Sequence, residues 1–177
     1  MTSSATELRV LAIDPTTRGF AFAVLEGPQR LIDWGVKSVR HHKHALCLAR
    51  VAAQIRVFDP AIIVLERPVE RQPGRCQRVR RLIDAIKTLA AKHGVQVRLV
   101  SRREVRQVFA TYGASTKHQI AQAIGRQLPE LSDRVPRYRK PWMSEDYQMN
   151  VFDAVSFALT CFHLREVRRL RRSPHHP

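Results

Sequence analysis

Asp14 and Glu66 each stand at the carboxyl end of a short apolar run, Leu8–Ile13 and Ala61–Leu65. Short β-branched runs of this kind read as strands buried on both faces of a sheet. If the two are neighbouring parallel strands, both carboxylates emerge at one edge, just where open α/β sheets bind ligands. Adjacent carboxylates repel unless one is protonated or a cation lies between them. A third acid, Asp153, lies early in MNVFDAVSFALTCFHL, a helix apolar on nearly every side and therefore buried. A carboxylate at the margin of a core is costly without a counter-charge. Steps of four and three residues place Asp146, Asn150 and Asp153 on one helical stripe. With Asp14 and Glu66 they form an oxygen-rich set without soft ligands, suited to Mg²⁺ or Mn²⁺. Each acid alone has a plainer explanation. Asp14 and Glu66 can pair with local arginines such as Arg18 and Arg67, and Asp153 with a buried arginine. Asp146 and Glu145 can simply favour the first turn of a helix.

The elements that must position these acids follow from periodicity. Leu8–Ile13, Gly19–Leu25 and Leu31–Val39 read as an antiparallel meander of three strands, with a breaker at Asp14-Pro15 and a turn at Gly27-Pro28. His44–Phe58 has helical spacing and Ala61–Leu65 is the buried strand. A long helix carries its stripe at Val79, Leu82, Ile83, Ile86 and Leu89 and ends near Gly94. Val95–Val100 is the next strand, followed by helices over Arg103–Phe109 and Thr116–Leu128, a basic loop over residues 129–143, and a last helix over Ser144–Arg169. This order predicts an α/β domain around a five-stranded mixed sheet, three strands antiparallel and two parallel, flanked by helices.

The charge names the class of partner. Thirty-one Lys and Arg face fifteen Asp and Glu in 177 residues, a formal +16. Such a surface repels itself unless a polyanion neutralises it, and nucleic acid is the commonest one. No apolar stretch is long enough to span a membrane, and residues 1–6 carry no secretory pattern, so a cytoplasmic protein is expected. Cys47, Cys76 and Cys161 lack metal-site spacing and read as small core residues in a reducing compartment. The His41–His44 cluster has no cysteine or acid at ligand spacing and reads as a solvated loop. Arg71, Arg75, Arg78, Arg80 and Arg81 crowd the start of the long helix, and Arg165, Arg168, Arg169, Arg171 and Arg172 end the chain. Phosphates are their natural target, although a solvated face accounts for some of them.

Four segments, in order, resemble the bacterial RuvC family of Holliday-junction resolvases over roughly residues 8–165. VLAIDP resembles the family's G-I-D-P-G opening with Asp14 as first acid, and IIVLER carries Glu66 at the place of the second. VRQVFATYGASTKHQIAQAI resembles the family's K-Q-…-G-x-G-x-x-x-K-x-Q-V stretch, with Lys117 and Gln119 matching. NVFDAVSFAL resembles the closing D-A-A-D-A-L-A-I-A, with Asp153 at the last acid. The resemblance implies an RNase-H-like nuclease domain over 7–165, a basic tail over 166–177, and hydrolysis of DNA by two Mg²⁺ ions, with Mn²⁺ as substitute. Asp14, Glu66, Asp153 and Lys117 would be catalytic, Lys117 over the scissile phosphate; Lys117 also reads as an exposed first-turn lysine capped by Ser115 or Thr116. Asp14, Glu66, Asp153 and Asp146 would hold metal. Arg71, Arg75, Arg78, Arg106, Lys117, Arg139 and Lys140 would meet the nucleic acid. Paired nicks in a four-way junction imply a two-fold homodimer, for which the helix from Arg75 to His93 is the expected interface.

Three departures stand out. Asn150 replaces the first acid of the family's final pair, so that Asp146 or Glu145 substitutes or one metal binds weakly. Arg106 replaces a lysine, and Val69 stands where the family tends to have an aromatic wedge. Two other readings share these residues: a nuclease of the same fold acting on RNA or flapped DNA, and a non-catalytic nucleic-acid-binding module.

Overall fold

Alternate residues of a strand face opposite sides of a sheet, and here that parity decides where the acids go. The computed structural model describes residues 7–40, 43–68, 75–138, 140 and 147–172, without the side chains of 43, 75, 76 and 170–172. Strands β1 (Arg9–Thr16), β2 (Gly19–Glu26) and β3 (Leu31–Ser38) form the antiparallel meander. Strands β4 (Ile62–Glu66) and β5 (Gln96–Val100) add to it in parallel, giving the order β3-β2-β1-β4-β5. The five-stranded mixed sheet expected from the sequence is the one observed.

The two faces are packed differently. Leu11, Ile13, Phe20, Phe22, Ile63 and Leu65 face α1 (Lys43–Phe58) and α2 (Arg75–Lys92). Val10, Ala12, Ala21, Ala23, Ile62 and Val64 face α3 (Arg102–Ala110), α4 (Lys117–Gln127) and α5 (Met149–Arg172). Three alanines at the centre of the second face leave room for the aromatic residues of α5, and Phe152 and Phe157 are fully buried there. The α5 helix is indeed buried nearly all round from Val151 to Cys161.

Several boundaries differ from the sequence reading. Asp14-Pro15 does not end β1, because Pro15 needs no N–H to pair with Phe20 where the ladder tolerates it. The parallel ladder to β4 does stop at Ile13–Leu65. The expected basic loop begins with a 3₁₀ turn over Pro129–Arg134, and α5 starts at Met149. Asp146 and Glu145 lie outside the described residues, and so do Arg71, Arg139, Val69, His41 and His42, together with the side chains of Arg75 and Cys76. The α5 helix continues unbroken past 165 to Arg172. Cys47 and Cys161 are buried free thiols. On the helix expected to carry an interface, Leu82, Ile83, Ile86 and Ala90 are buried in the core and Val79 and Leu89 are partly buried against it, while its outward face shows Arg78, Arg81, Asp84 and Lys87.

The β1–β2 hairpin carries Asp14 three residues before its two-residue turn. Gly19 closes that turn at φ +147°, and a β-carbon there would overlap the carbonyl of Lys37 on β3. Gly19→Ala should therefore cost about 2–3 kcal/mol. Urea unfolding checks this, with an unchanged midpoint as the contrary result.

Candidate active site

Parity and register together build the site. Asp14 continues the Val10–Ala12 row and Glu66 the Ile62–Val64 row, so both lie on the face covered by α5. The pairing Ile13–Leu65, carried one residue further, sets Asp14 beside Glu66 at the carboxyl edge of two parallel strands. Asp153, in the second turn of α5, closes over that edge. Asp14 and Asp153 are each only 6 % exposed.

The sequence reading missed the group that ties these acids together. Arg102 donates from Nε to Glu66 Oε1 at 2.7 Å and from Nη2 to Glu66 Oε2 at 3.0 Å. Its remaining nitrogen, Nη1, donates to Asp153 Oδ1 at 2.6 Å. The other Asp153 oxygen accepts from Lys117 Nζ at 3.0 Å. The Arg102 guanidinium also lies over the Phe157 ring, 5.0 Å from its centroid. Burial alone would lower the Arg102 pKa, but the charges of Asp153 and Glu66 outweigh it and raise it above its ordinary value. The guanidinium is charged throughout the working pH range.

Local sequence explains why Arg102 is there. Ser101 caps α3 in a reciprocal box: its hydroxyl accepts from Glu104 N–H, and the Glu104 carboxylate accepts from Ser101 N–H at 2.8 Å. Burial would raise the Glu104 pKa, but its hydrogen bonds from Ser101 hold it below the usual range. The box makes Arg102 the first residue of a helix that starts immediately after β5, at the same edge as the acids. The S-x-x-E pattern at 101–104 was the available signal. Thr116 caps α4 likewise with Gln119, which places Lys117 on the first turn and occupies the Gln119 side chain in the cap.

Of the expected site residues, the structure brings Asp14, Glu66, Asp153 and Lys117 together. Arg78 and Arg106 are exposed on α2 and α3, and Lys140 is exposed beyond α4. Glu66 pairs with Arg102 rather than Arg67, whose Nη2 reaches the Leu99 carbonyl. Asp153 has the arginine partner that the plainer explanation required. Asn150 lies one turn before Asp153 on α5. Among the described residues no group of three or more His, Cys, Asp or Glu is arranged to hold a metal ion. The donor set is nonetheless all oxygen, which suits a hard divalent cation, and the place between Glu66 and Asp153 is taken by a cation already.

No family model and no curated protein matches the sequence. The solved structure of T. thermophilus RuvC in complex with Holliday junction substrate is similar at TM-score 0.71 and 22% identity, over 91% of this chain and 97% of that one. A second T. thermophilus RuvC structure gives TM-score 0.69 at 22% identity, over 90% and 97%. The Fowlpox virus resolvase, in complex with substrate Holliday junction DNA, gives 0.55 at 14% identity, over 90% and 99%. The fold is RuvC-type.

In this RuvC-type fold Asp14 is the acid without a direct partner: no hydrogen bond or ion pair reaches it among the described residues. Burial first, and then the charge of Asp153, push its pKa well above the usual range, with Glu66 adding and Arg102 and Lys117 opposing. A carboxyl whose pKa is raised by folding favours the native state while protonated. That contribution is complete below the ordinary aspartate range and is lost as pH rises through the raised value. Asp14→Asn removes the charge outright, so in EDTA at neutral pH the variant should melt above the wild type, by about 2–4 °C per kcal/mol of relieved strain. The difference should vanish in acid. A lower melting temperature at neutral pH would contradict the raised pKa.

Proposed function

We propose that this chain is a divalent-metal-dependent endonuclease that resolves four-way DNA junctions by paired nicks. The observation that carries the reading is the meeting of Asp14, Glu66, Asp153 and Lys117 at the carboxyl edge of a RuvC-type sheet, in a chain of formal charge +16. A module that only binds phosphate gains nothing from three acids in a basic surface.

Asp14, Glu66 and Asp153, with Asp146 as a further candidate, would hold Mg²⁺ or Mn²⁺. When bound, such ions supply an activated water and stabilise the leaving oxygen in a displacement at phosphorus. The chain's own residues do the rest. The side chain of Lys117, held by Asp153 yet 47% exposed, can meet a phosphate oxygen from the open side. Asp14, buried on the β1 ladder, presents its carboxyl from a strand rather than a loop, so its position is rigid. A junction has pseudo-two-fold symmetry and one domain offers one site, so paired nicks need two copies, arranged as a two-fold dimer. The domain doing this work spans 7–165, and the arginines from 166 onward serve as a grip on DNA. A cytoplasmic setting suits the buried free thiols of Cys47 and Cys161. The ion pairing of Glu66 and Asp153 with Arg102 favours one second reading, a module of the same fold that binds DNA without cutting it.

Labelled four-way junction, duplex and RNA, each with Mg²⁺ or EDTA, separate these readings. Junction cleavage that needs Mg²⁺ is expected, and Asp14→Asn or Glu66→Gln should lower it at least ~100-fold while junction binding stays equal or tightens. Retained cleavage in either variant defeats the assignment. Junction binding with no cleavage by the wild type establishes the second reading.

The far part of α5 has a separate test. Arg98, Arg165, Arg168 and Arg169 line one open cleft together with Leu8 and Phe162. Replacing Arg165 and Arg168 with alanine should flatten the dependence of log affinity on log salt by about 0.9 for each phosphate no longer neutralised. An unchanged slope means that these arginines do not touch DNA.

A further inference from the structure

We propose that Arg102 is the resident counter-cation of the acid cluster, and that a divalent ion enters only by displacing its guanidinium from Glu66 and Asp153. The proposal rests on the reading that these acids hold metal, and it assigns to Arg102 the control of when they do so. Both Glu66 oxygens and one Asp153 oxygen accept from this one side chain, at 2.6–3.0 Å. These are charge-assisted hydrogen bonds in a forked geometry, which only a guanidinium matches so fully.

The pairing is not a loose surface contact. The side chains of Arg102, Glu66 and Asp153 are 30%, 25% and 8% exposed, and Phe157 supports the guanidinium from one side. The Ser101–Glu104 box pins the main chain at the start of α3. Exchange therefore belongs to the side chain, whose partly exposed head has a way out to solvent.

Charge decides that the two cations exclude each other. Among the described residues, three ionised carboxylates against Arg102 and Lys117 leave a single negative charge. A divalent ion added to that set makes the cluster positive, and its like charge faces the guanidinium at close range. With Arg102 turned away, the same ion brings the cluster to neutrality. A guanidinium leaving carboxylates is best received by phosphate, which it binds with the same fork. DNA arriving at this edge offers that acceptor, so metal occupancy should be coupled to substrate. The site would stay shut to metal until there is a backbone to cut.

The test reads metal binding without DNA, so it does not depend on cleavage. Mn²⁺ is titrated into the full chain, followed by calorimetry and by the rise in melting temperature that the metal induces, for wild type, Arg102→Met and Arg102→Lys. Arg102→Met should bind Mn²⁺ at least tenfold more tightly than wild type and show the larger metal-induced rise. Arg102→Lys, which keeps the charge but loses the fork, should fall between, and it carries the test if the methionine variant does not fold. Equal or weaker Mn²⁺ binding in the folded variants, or none up to millimolar metal, overturns the proposal. A wild type that cuts no junction at saturating metal would instead defeat the nuclease reading, whatever the titration shows.

Discussion

Carboxylates gathered away from water repel one another, and the architecture of this protein is arranged around the answer to that repulsion. Two unit charges 4 Å apart at an effective dielectric near 20 interact by roughly 4 kcal/mol, enough to open a sheet edge if nothing opposes it. The described residues oppose it in two ways. Arg102 and Lys117 bring positive charge to Glu66 and Asp153, while Asp14, without such a partner, holds its proton more tightly. Glu66 and Asp153 share Arg102, Asp153 has Lys117 besides, and the charge of Asp153 in turn raises the pKa of Asp14.

That accommodation works only because the backbone is stiff. Asp14 and Glu66 hang from adjacent parallel strands whose inner residues are fully buried. Asp153 hangs from a helix that lies on alanines rather than bulky residues at the centre of the sheet. The small residues let α5 come close, and the closeness puts its acid over the edge. Capping boxes at Ser101 and Thr116 then deliver one cation each, from the first turns of α3 and α4. Two short polar patterns therefore do as much to shape the site as the apolar core does.

Much of this was legible in the sequence, for reasons that differ by residue. The sheet was legible because its strands are short, apolar and punctuated, and the acids because each ended an apolar run or interrupted an apolar helix. Lys117 was singled out only by the family resemblance, since its cap at Thr116 taken alone reads it as an exposed first-turn lysine. Arg102 was not, although it sits one residue after a visible cap, because nothing local separates it from Arg103 or Arg106. Its role depends on pairing with residues 36 and 51 positions away. Asp14-Pro15 misled because proline is read as a breaker, whereas an antiparallel ladder can carry it where no N–H is asked for. Periodicity likewise reveals the apolar stripe of α2 but not how it is shared: Leu82, Ile83, Ile86 and Ala90 are buried, while Val79 and Leu89 are only partly so.

The unbroken course of α5 has a metric consequence. Asp153, at the acid edge, and Arg169, in the far cleft, belong to one rigid rod, and the sixteen intervening steps measure about 24 Å at 1.5 Å each. That is roughly seven nucleotide steps along a strand at 3.4 Å. The helix is therefore a ruler, holding the acid cluster and the arginine-lined cleft at a set separation and bearing. One inserted residue would turn the two ends about 100° relative to each other, so the length of α5 is as much part of the site as its side chains.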